Sequence, residues 1–429
     1  MKKLTNQINP WAWVPSLYLA EGLPYVMVNV VSLIMYKRLN VPNAEIAFYT
    51  SFLYFPWVIK PIWSPVVDTL KTKRYWILIM QLILGAAFAG VAFSIPTDNF
   101  FRYTLAFFWL MAFSSATHDI AADGFYMLGL SEHQQAYFVG IRSTFYRLAM
   151  ITGQGFLVIM AGKLENHFGV VNGWTITFFV ITALMFLFYI YHNFVLPRPK
   201  SDIKKELKPG ENVLTEFGRT FLLFIKKDKI LIIIGFLLLY RFGEAQLVKL
   251  ASPFLLDKRD VGGLGLSTEE VGIVYGTVGL IALTIGGILG GFLVSKHGLK
   301  YWLWWMIIAI NLPNGVYIYL SVFQPENFYI INAAVAIEQF GYGFGFTAYM
   351  MYMIYISEGP YKTAHFAIAT GFMALGMMLP GLFSGWLQEQ LGYPKFFTWV
   401  LFSAIPGFII TIFIPLRGDF GKKKENATT

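Results

Sequence analysis

The chain has 429 residues, 56% of them hydrophobic and only 13% charged, with a formal net charge of +9. A soluble globular domain carries about 25% charged residues, so most of this surface faces something other than water. There is no cysteine, which excludes disulfides and thiolate metal sites.

Apolar runs of about 20 residues cross a bilayer as helices, and here they recur almost without interruption. The first, residues 11–36, follows Met1, Lys2 and Lys3 with no small-residue cleavage site, so it reads as a retained span rather than a leader. The next five fall at 45–70, 75–95, 100–129, 135–161 and 173–196. Residues 197–227 form the least apolar stretch, with Arg198, Lys200, Lys204, Lys205, Lys208, Arg219, Lys226, Lys227 and three prolines. This stretch is expected to be a solvated cytoplasmic tether, with a surface-lying amphipathic helix as the alternative. Six more spans follow at 228–256, 268–296, 299–321, 327–357, 361–391 and 394–416. The fold class is therefore an all-α membrane protein of twelve transmembrane helices. Residues 1–196 make one six-helix bundle and 228–429 make a second with a short cytoplasmic tail.

Alternate connectors hold most of the basic residues: Lys71, Lys73 and Arg74, then the 197–227 linker, Lys296 and Lys300, Lys362, and Arg417 with Lys422 to Lys424. The opposite connectors hold only Lys37, Arg38, Arg102, Lys163, Lys258, Arg259 and Lys395. The richer side is cytoplasmic, which places both termini inside.

The two halves also match in sequence. Ser64 to Lys73 follows span 2 and Gly291 to Lys300 follows span 8. Both resemble the Gly-x-x-x-Asp-x-x-Gly-x-Lys/Arg loop of the major facilitators. The first copy keeps Asp68 and its basic residues; the second keeps the glycines but has Ser295 for the acid. Two six-helix repeats, each with such a loop after its second helix, describe that architecture.

Charge in hydrocarbon costs about 2.5–3.5 kcal/mol per group on insertion scales, so ionisable residues inside spans mark pathways. Glu21 lies in span 1, His118, Asp119 and Asp123 in span 4, Arg142 and Arg147 in span 5, Arg241, Glu244 and Lys249 in span 7, and Glu338 in span 10. In major facilitators spans 1, 4, 7 and 10 line the central cavity.

Asp119 and Asp123 are four apart and share a helix face, whereas Arg142 and Arg147 are five apart and diverge. Asp119 is expected to pair with Arg142 and hold two helices together, which leaves Arg147 for the solute. Arg241 and Glu244 are spaced to pair locally. Arg241 is still the leading solute ligand, because a guanidinium is always charged and binds bidentately. Tyr25, Asn29, Glu244 and Glu338 join it as substrate contacts, and Trp57, Gln154, Asn311 and Gln339 are further polar or stacking candidates. Proton coupling needs a carboxyl that burial makes protonatable near neutral pH. The candidates are Glu21, set in Ala20-Glu21-Gly22-Leu23-Pro24, then Asp123 and Asp119. Lys60, Asp68, Lys71, Arg74 and Arg142 are assigned gating or structural roles. The alternating glycines and aromatics of Phe340 to Phe346 are read as a close-packing face.

Several of these residues carry a resemblance. Glu21-Gly-Leu-Pro24, Lys60-Pro-Ile-Trp63-Ser-Pro65-Val-Val-Asp68, Ala116-Thr-His118-Asp119-Ile-Ala-Ala-Asp123, Gly341 to Ala348, His365-Phe-Ala-Ile-Ala-Thr and Gly385-Trp386 resemble the AmpG-type muropeptide permeases. That branch of the major facilitators is also similar to the acetyl-CoA transporters. His118 stands where the family has glutamine, and the residues after Asp123 differ.

The resemblance implies proton-driven import of anhydromuropeptides or related amino-sugar disaccharides across a bacterial inner membrane, with Asp119 and Asp123 carried over. A carrier for another glycan disaccharide or an anionic metabolite is the alternative, and a transporter-like sensor is a further one. An enzyme is not expected, because His118 has no second histidine at ligand spacing. No phosphate-binding loop suggests an ATP-driven pump. The expected partners are a small-molecule solute and membrane lipids, without nucleic acid. The chain is expected to act as a monomer with no metal and no cofactor beyond the proton gradient.

Overall fold

A computed structural model describes residues 8–203, 213–358 and 361–422. Among the described residues there is helix and connecting loop but no strand, as expected where each backbone N–H and C=O must find its partner within its own segment.

Span 1 is Pro10–Arg38, with a π-helical turn at Met27–Val31. Span 2 is split into Asn43–Phe52 and Phe55–Leu70. Lys73–Ser94 and Phe100–Gly129 are spans 3 and 4. Spans 5 and 6 run as Glu132–Met150, a π-helical turn Ile151–Leu157 and Val158–Val195. The reversal between them is made by Gly169, whose φ of 79° suits a residue without a Cβ.

In the second half, Ile230–Leu239 and Phe242–Leu256 make span 7. Thr268–His297 and Leu299–Phe323 are spans 8 and 9, and Phe328–Ile356 is span 10. Lys362–Ser403 and Ile405–Phe413 carry spans 11 and 12, reversing at Gly392 with φ 71°. Seven of these helical segments are long and apolar enough to cross a membrane by length and composition, and the two that include Gly169 and Gly392 have length for two passes each.

Sequence-local signals set the helix ends. Asn9 Oδ1 accepts Trp11 N–H, Thr72 Oγ1 accepts Tyr75 N–H, and Ser131 and Ser267 open capping boxes with Gln134 and Glu270. Large apolar side chains point outward: Phe194 and Leu231 are 75% and 81% exposed, which fits a lipid-facing surface.

The chain divides into two compact units, Met1–Leu39 with Ile59–Phe217, and Asn40–Val58 with Gly218–Thr429. The boundary differs from the expected one in span 2, whose residues 40–58 pack with the second unit. Span 11 supplies the reason: a Cβ at Gly385 would collide with the Asn43 carbonyl, and one at Gly381 with Ser51 Oγ, so only glycine allows this approach. Asn43 Nδ2 then donates to Gln388 Oε1 at 2.8 Å and Tyr393 OH at 2.9 Å.

The first unit packs around Trp13, Leu17, Tyr18, Ile77, Ala121 and Phe125. In the second, Gly341, Gly343 and Gly345 lie against the carbonyls of Ala309, Leu283 and Met306. The glycine–aromatic run is therefore a packing face, as its sequence suggested. The linker needs a correction. Val213–Ile225 is a helix, and Phe224 is buried in the second unit, stacked on Phe372 and edge-on to His365. A tether would leave that ring in water. Lys204, Lys205 and Lys208 lie outside the described residues.

Candidate functional site

The first unit gathers five ionisable groups from spans 1, 2, 4 and 5. Asp119 and Asp123 sit one turn apart on span 4, as their spacing requires. Lys60 Nζ reaches Asp119 Oδ2 at 3.4 Å. Arg142 Nη2 reaches Asp123 Oδ1 at 3.0 Å, and Tyr18 OH donates to the same oxygen at 3.2 Å. The Arg142 guanidinium also lies over the rings of Tyr18 and Tyr126, at 4.6 and 5.0 Å.

The expected Asp119–Arg142 pair is therefore not formed. Span 5 presents Arg142 one turn further along span 4, at Asp123, and Lys60 from span 2 fills the Asp119 position. Lys60, expected in a gating or structural role, brings its ammonium from span 2 to span 4.

Glu21 is the fifth group. It is 7% exposed, has no hydrogen-bond or ion-pair partner among the described residues, and its Oε2 is fully buried. Asp119, Asp123, Arg142 and Lys60 all act on it electrostatically. Three carboxylates thus share two cations. The two pairs keep some access: side-chain exposure is 27% and 17% for Lys60 and Asp119, and 31% and 43% for Arg142 and Asp123.

Arg147 diverges from this group, as its spacing from Arg142 predicts, and makes no side-chain ion pair or hydrogen bond among the described residues. The Tyr25 ring lies 6.5 Å from that of Tyr146. Asn29 turns its Nδ2 back to Tyr25 O, at 3.1 Å.

Arg241 and Glu338 belong to the second unit. Arg241 Nε donates to Glu244 Oε2 at 2.8 Å and Nη2 to Tyr342 OH at 2.8 Å, with Tyr342, Phe346 and Tyr349 around the guanidinium. The pair is sealed, at 8% and 0% side-chain exposure, so the leading solute ligand is already engaged by its neighbour. Glu338 accepts a bond from Gln339 Nε2 at 3.0 Å. Lys249, also buried, donates to Thr50 Oγ1 at 3.1 Å and lies over the Tyr54 ring.

Among the residues assigned gating or structural roles, Arg74 binds the carbonyls of Asn193 and Leu196 at the end of span 6, at 2.6 and 3.3 Å. Lys71 is exposed beside the Tyr75 ring. The Asp68 side chain lies outside the described residues.

Sequence reasoning did not find the partners of His118. Its Nε2 lies 3.1 Å from Gln81 Nε2, Gln81 Oε1 lies 3.0 Å from His192 Nδ1, and His192 Nε2 lies 2.9 Å from Ser16 Oγ. This buried chain ties spans 1, 3, 4 and 6 and makes His118 a helix contact, not a ligand. Gln81 and His192 inside apolar runs were the signal. No cluster of three or more His, Cys, Asp or Glu fit to hold a metal occurs among the described residues.

The cluster is carboxylate-rich and partly accessible inside a helical membrane unit. The profile of the major facilitator superfamily matches residues 16–379, and the chain belongs to that superfamily: it is a multi-pass membrane transporter. Its relatives include the anhydromuropeptide permease of Escherichia coli K12, 26% identical over 412 residues, which cover 95% of this chain and 80% of that protein. A putative transporter AmpG 4 of Rickettsia conorii is 24% identical over 414 residues, covering 92% and 94%. Among solved structures, a D-xylose-proton symporter matches with a TM-score of 0.69 at 13% identity, over 98% of this chain and all of that one. That likeness concerns the fold. The resemblance read from the span 1, 2 and 4 motifs thus agrees with the permeases that align along nearly the whole chain.

Proposed function

We propose that this transporter is a proton-coupled importer of anhydromuropeptides or related amino-sugar disaccharides across a bacterial inner membrane, with both termini in the cytoplasm. The carrying observation is the imbalance in the first unit: Glu21, Asp119 and Asp123 against Lys60 and Arg142. Two pairs neutralise two of the acids. The third carboxyl, held where an unpaired charge is costly, is neutral when it binds one proton, and releasing that proton breaks the balance. Glu21 is the acid without a cation, and Asp123 is the most accessible of the three. The name of the aligned Escherichia coli permease supplies the solute class.

Arg147 favours a solute with an acidic group, because an unpaired guanidinium in a span offers a bidentate site. A glycan-derived disaccharide acid or another anionic metabolite is the second reading on the same observation. The test is uptake by proteoliposomes. Labelled anhydromuropeptide accumulates only under an inward proton gradient. Equal uptake after collapse of the gradient rejects coupling, and binding without counterflow turns the reading to a sensor.

A further inference from the structure

Two spans of the second unit depart from α-helical geometry at the level of Gln339 and Gly341 of span 10. Span 8 has its π-helical turn at Val274–Gly279, and span 9 a 3-10 turn at Leu312–Gly315. Such turns inside a span occur at functional sites. The packing register of spans 9 and 10 is fixed by two glycines. A Cβ at Gly345 would collide with the Met306 carbonyl and approach Ile310, and one at Gly341 would meet the Ala309 carbonyl and Pro313. The chains are antiparallel, so Glu338, one turn before Gly341, comes opposite the 3-10 turn. Tyr317 of span 9 and Tyr275 of span 8 interact electrostatically with Glu338, and Tyr275 also hydrogen-bonds its neighbour Gln339.

Glu338 is 2% exposed. No Lys or Arg pairs with it among the described residues; the ionisable groups acting on it are Glu244, Tyr275 and Tyr317. At and beside the 3-10 turn of span 9, among the described residues, stand polar atoms that are buried and without hydrogen-bond partners: both Oδ1 and Nδ2 of Asn314, Oδ1 of Asn311 and the Tyr317 hydroxyl. Asn314 lies in the 3-10 turn, and Asn311 and Tyr317 stand three residues before and after it in the flanking α-helices. Pro313 has no N–H to give the carbonyl four residues back, Ala309. Buried orphans of this kind call for an occupant.

The geometry points to a monovalent metal-cation site at Glu338, with Asn311, Asn314 and Tyr317 of span 9 as its neutral oxygen donors. One carboxylate and several uncharged oxygens neutralise one positive charge; a divalent ion draws on more carboxylates. A bound proton neutralises Glu338 but leaves the Asn311 and Asn314 carbonyl oxygens without a donor. A water satisfies an amide and leaves the charge. A cation answers both needs, while Gln339 Nε2 donates to the carboxylate. Unwound segments inside membrane helices supply cation ligands in the same way.

The test uses the full-length protein in detergent with neither solute nor gradient, so its failure and that of the importer reading are separable. Radioactive sodium binding is measured directly, and thermal unfolding is followed in sodium chloride and in choline chloride at equal ionic strength. Sodium is expected to bind saturably and to raise the unfolding midpoint by roughly 2–4 °C. Both effects are lost in Glu338→Gln and weakened in Asn314→Leu. Tyr317→Phe, which keeps the ring, lowers sodium affinity without moving the midpoint in choline. Absence of sodium binding by the unaltered protein overturns the site. So does retention of full affinity in Glu338→Gln, or unchanged affinity in both span 9 variants.

Discussion

The two units treat their ion pairs in opposite ways. In the first, Asp119–Lys60 and Asp123–Arg142 keep between 17% and 43% side-chain exposure, and Glu21 is left over. In the second, Arg241–Glu244 is closed off at 8% and 0% and wrapped in aromatic rings. A partly wet pair is worth about 0.2–1 kcal/mol and can be exchanged for other partners. A desolvated pair costs several kcal/mol to break. The first arrangement suits a site that must change its protonation or its partner in a transport cycle. The second suits a fixture that holds span 7 to span 10.

Variants on each side sharpen the contrast. The largest effect is expected for Asp123→Asn. Accumulation under an inward proton gradient falls to the level of empty vesicles, while the unfolding midpoint stays near that of the unaltered protein, because the lost pair is partly exposed. Full accumulation in this variant would break the distinction. Next comes Arg241→Ala, which leaves Glu244 buried and alone and destabilises the protein by about 3–5 kcal/mol. Replacing the pair together, Arg241→Met with Glu244→Leu, restores most of that loss in thermal unfolding. If the double variant is as unstable as the single one, the pair is not a local fixture.

A smaller effect is expected for Arg147→Ala: the solute concentration for half-maximal uptake rises for acidic solutes, and an uncharged analogue shows no change. Uptake titrations with both solutes check this. The smallest is for Arg74→Ala, which frees two carbonyls at the end of span 6 and costs about 1 kcal/mol, with uptake per folded molecule unchanged. A lost gradient response there would assign Arg74 a role beyond capping.

The ionisable residues were legible as a set, because a Lys, Arg, Asp or Glu inside an apolar run has no inexpensive explanation. Their pairing was not. Sequence spacing put Asp119 and Asp123 on one face and separated Arg142 from Arg147, and both statements hold. Which arginine or lysine meets which aspartate depends on how far one helix is shifted along another, and Lys60 reaches span 4 from a different part of the chain. His118 shows the same limit. Its span was evident, whereas Gln81 and His192, its neighbours in space, stand 37 residues before and 74 residues after it.

By itself, the sequence determined the class of molecule and the positions of its spans, because apolar length and helix periodicity are local quantities set by bilayer thickness and backbone hydrogen bonding. It also determined the helix ends at Ser131 and Ser267, where the capping residues lie three apart. Tertiary structure alone decided that the Arg241–Glu244 pair is sealed and bonded to Tyr342, that residues 40–58 pack with the second unit, and that Glu21 and Glu338 form no ion pair among the described residues. Those outcomes follow from close approach at glycines and from desolvation, and neither can be summed from one segment, since each depends on which distant side chains exclude the water.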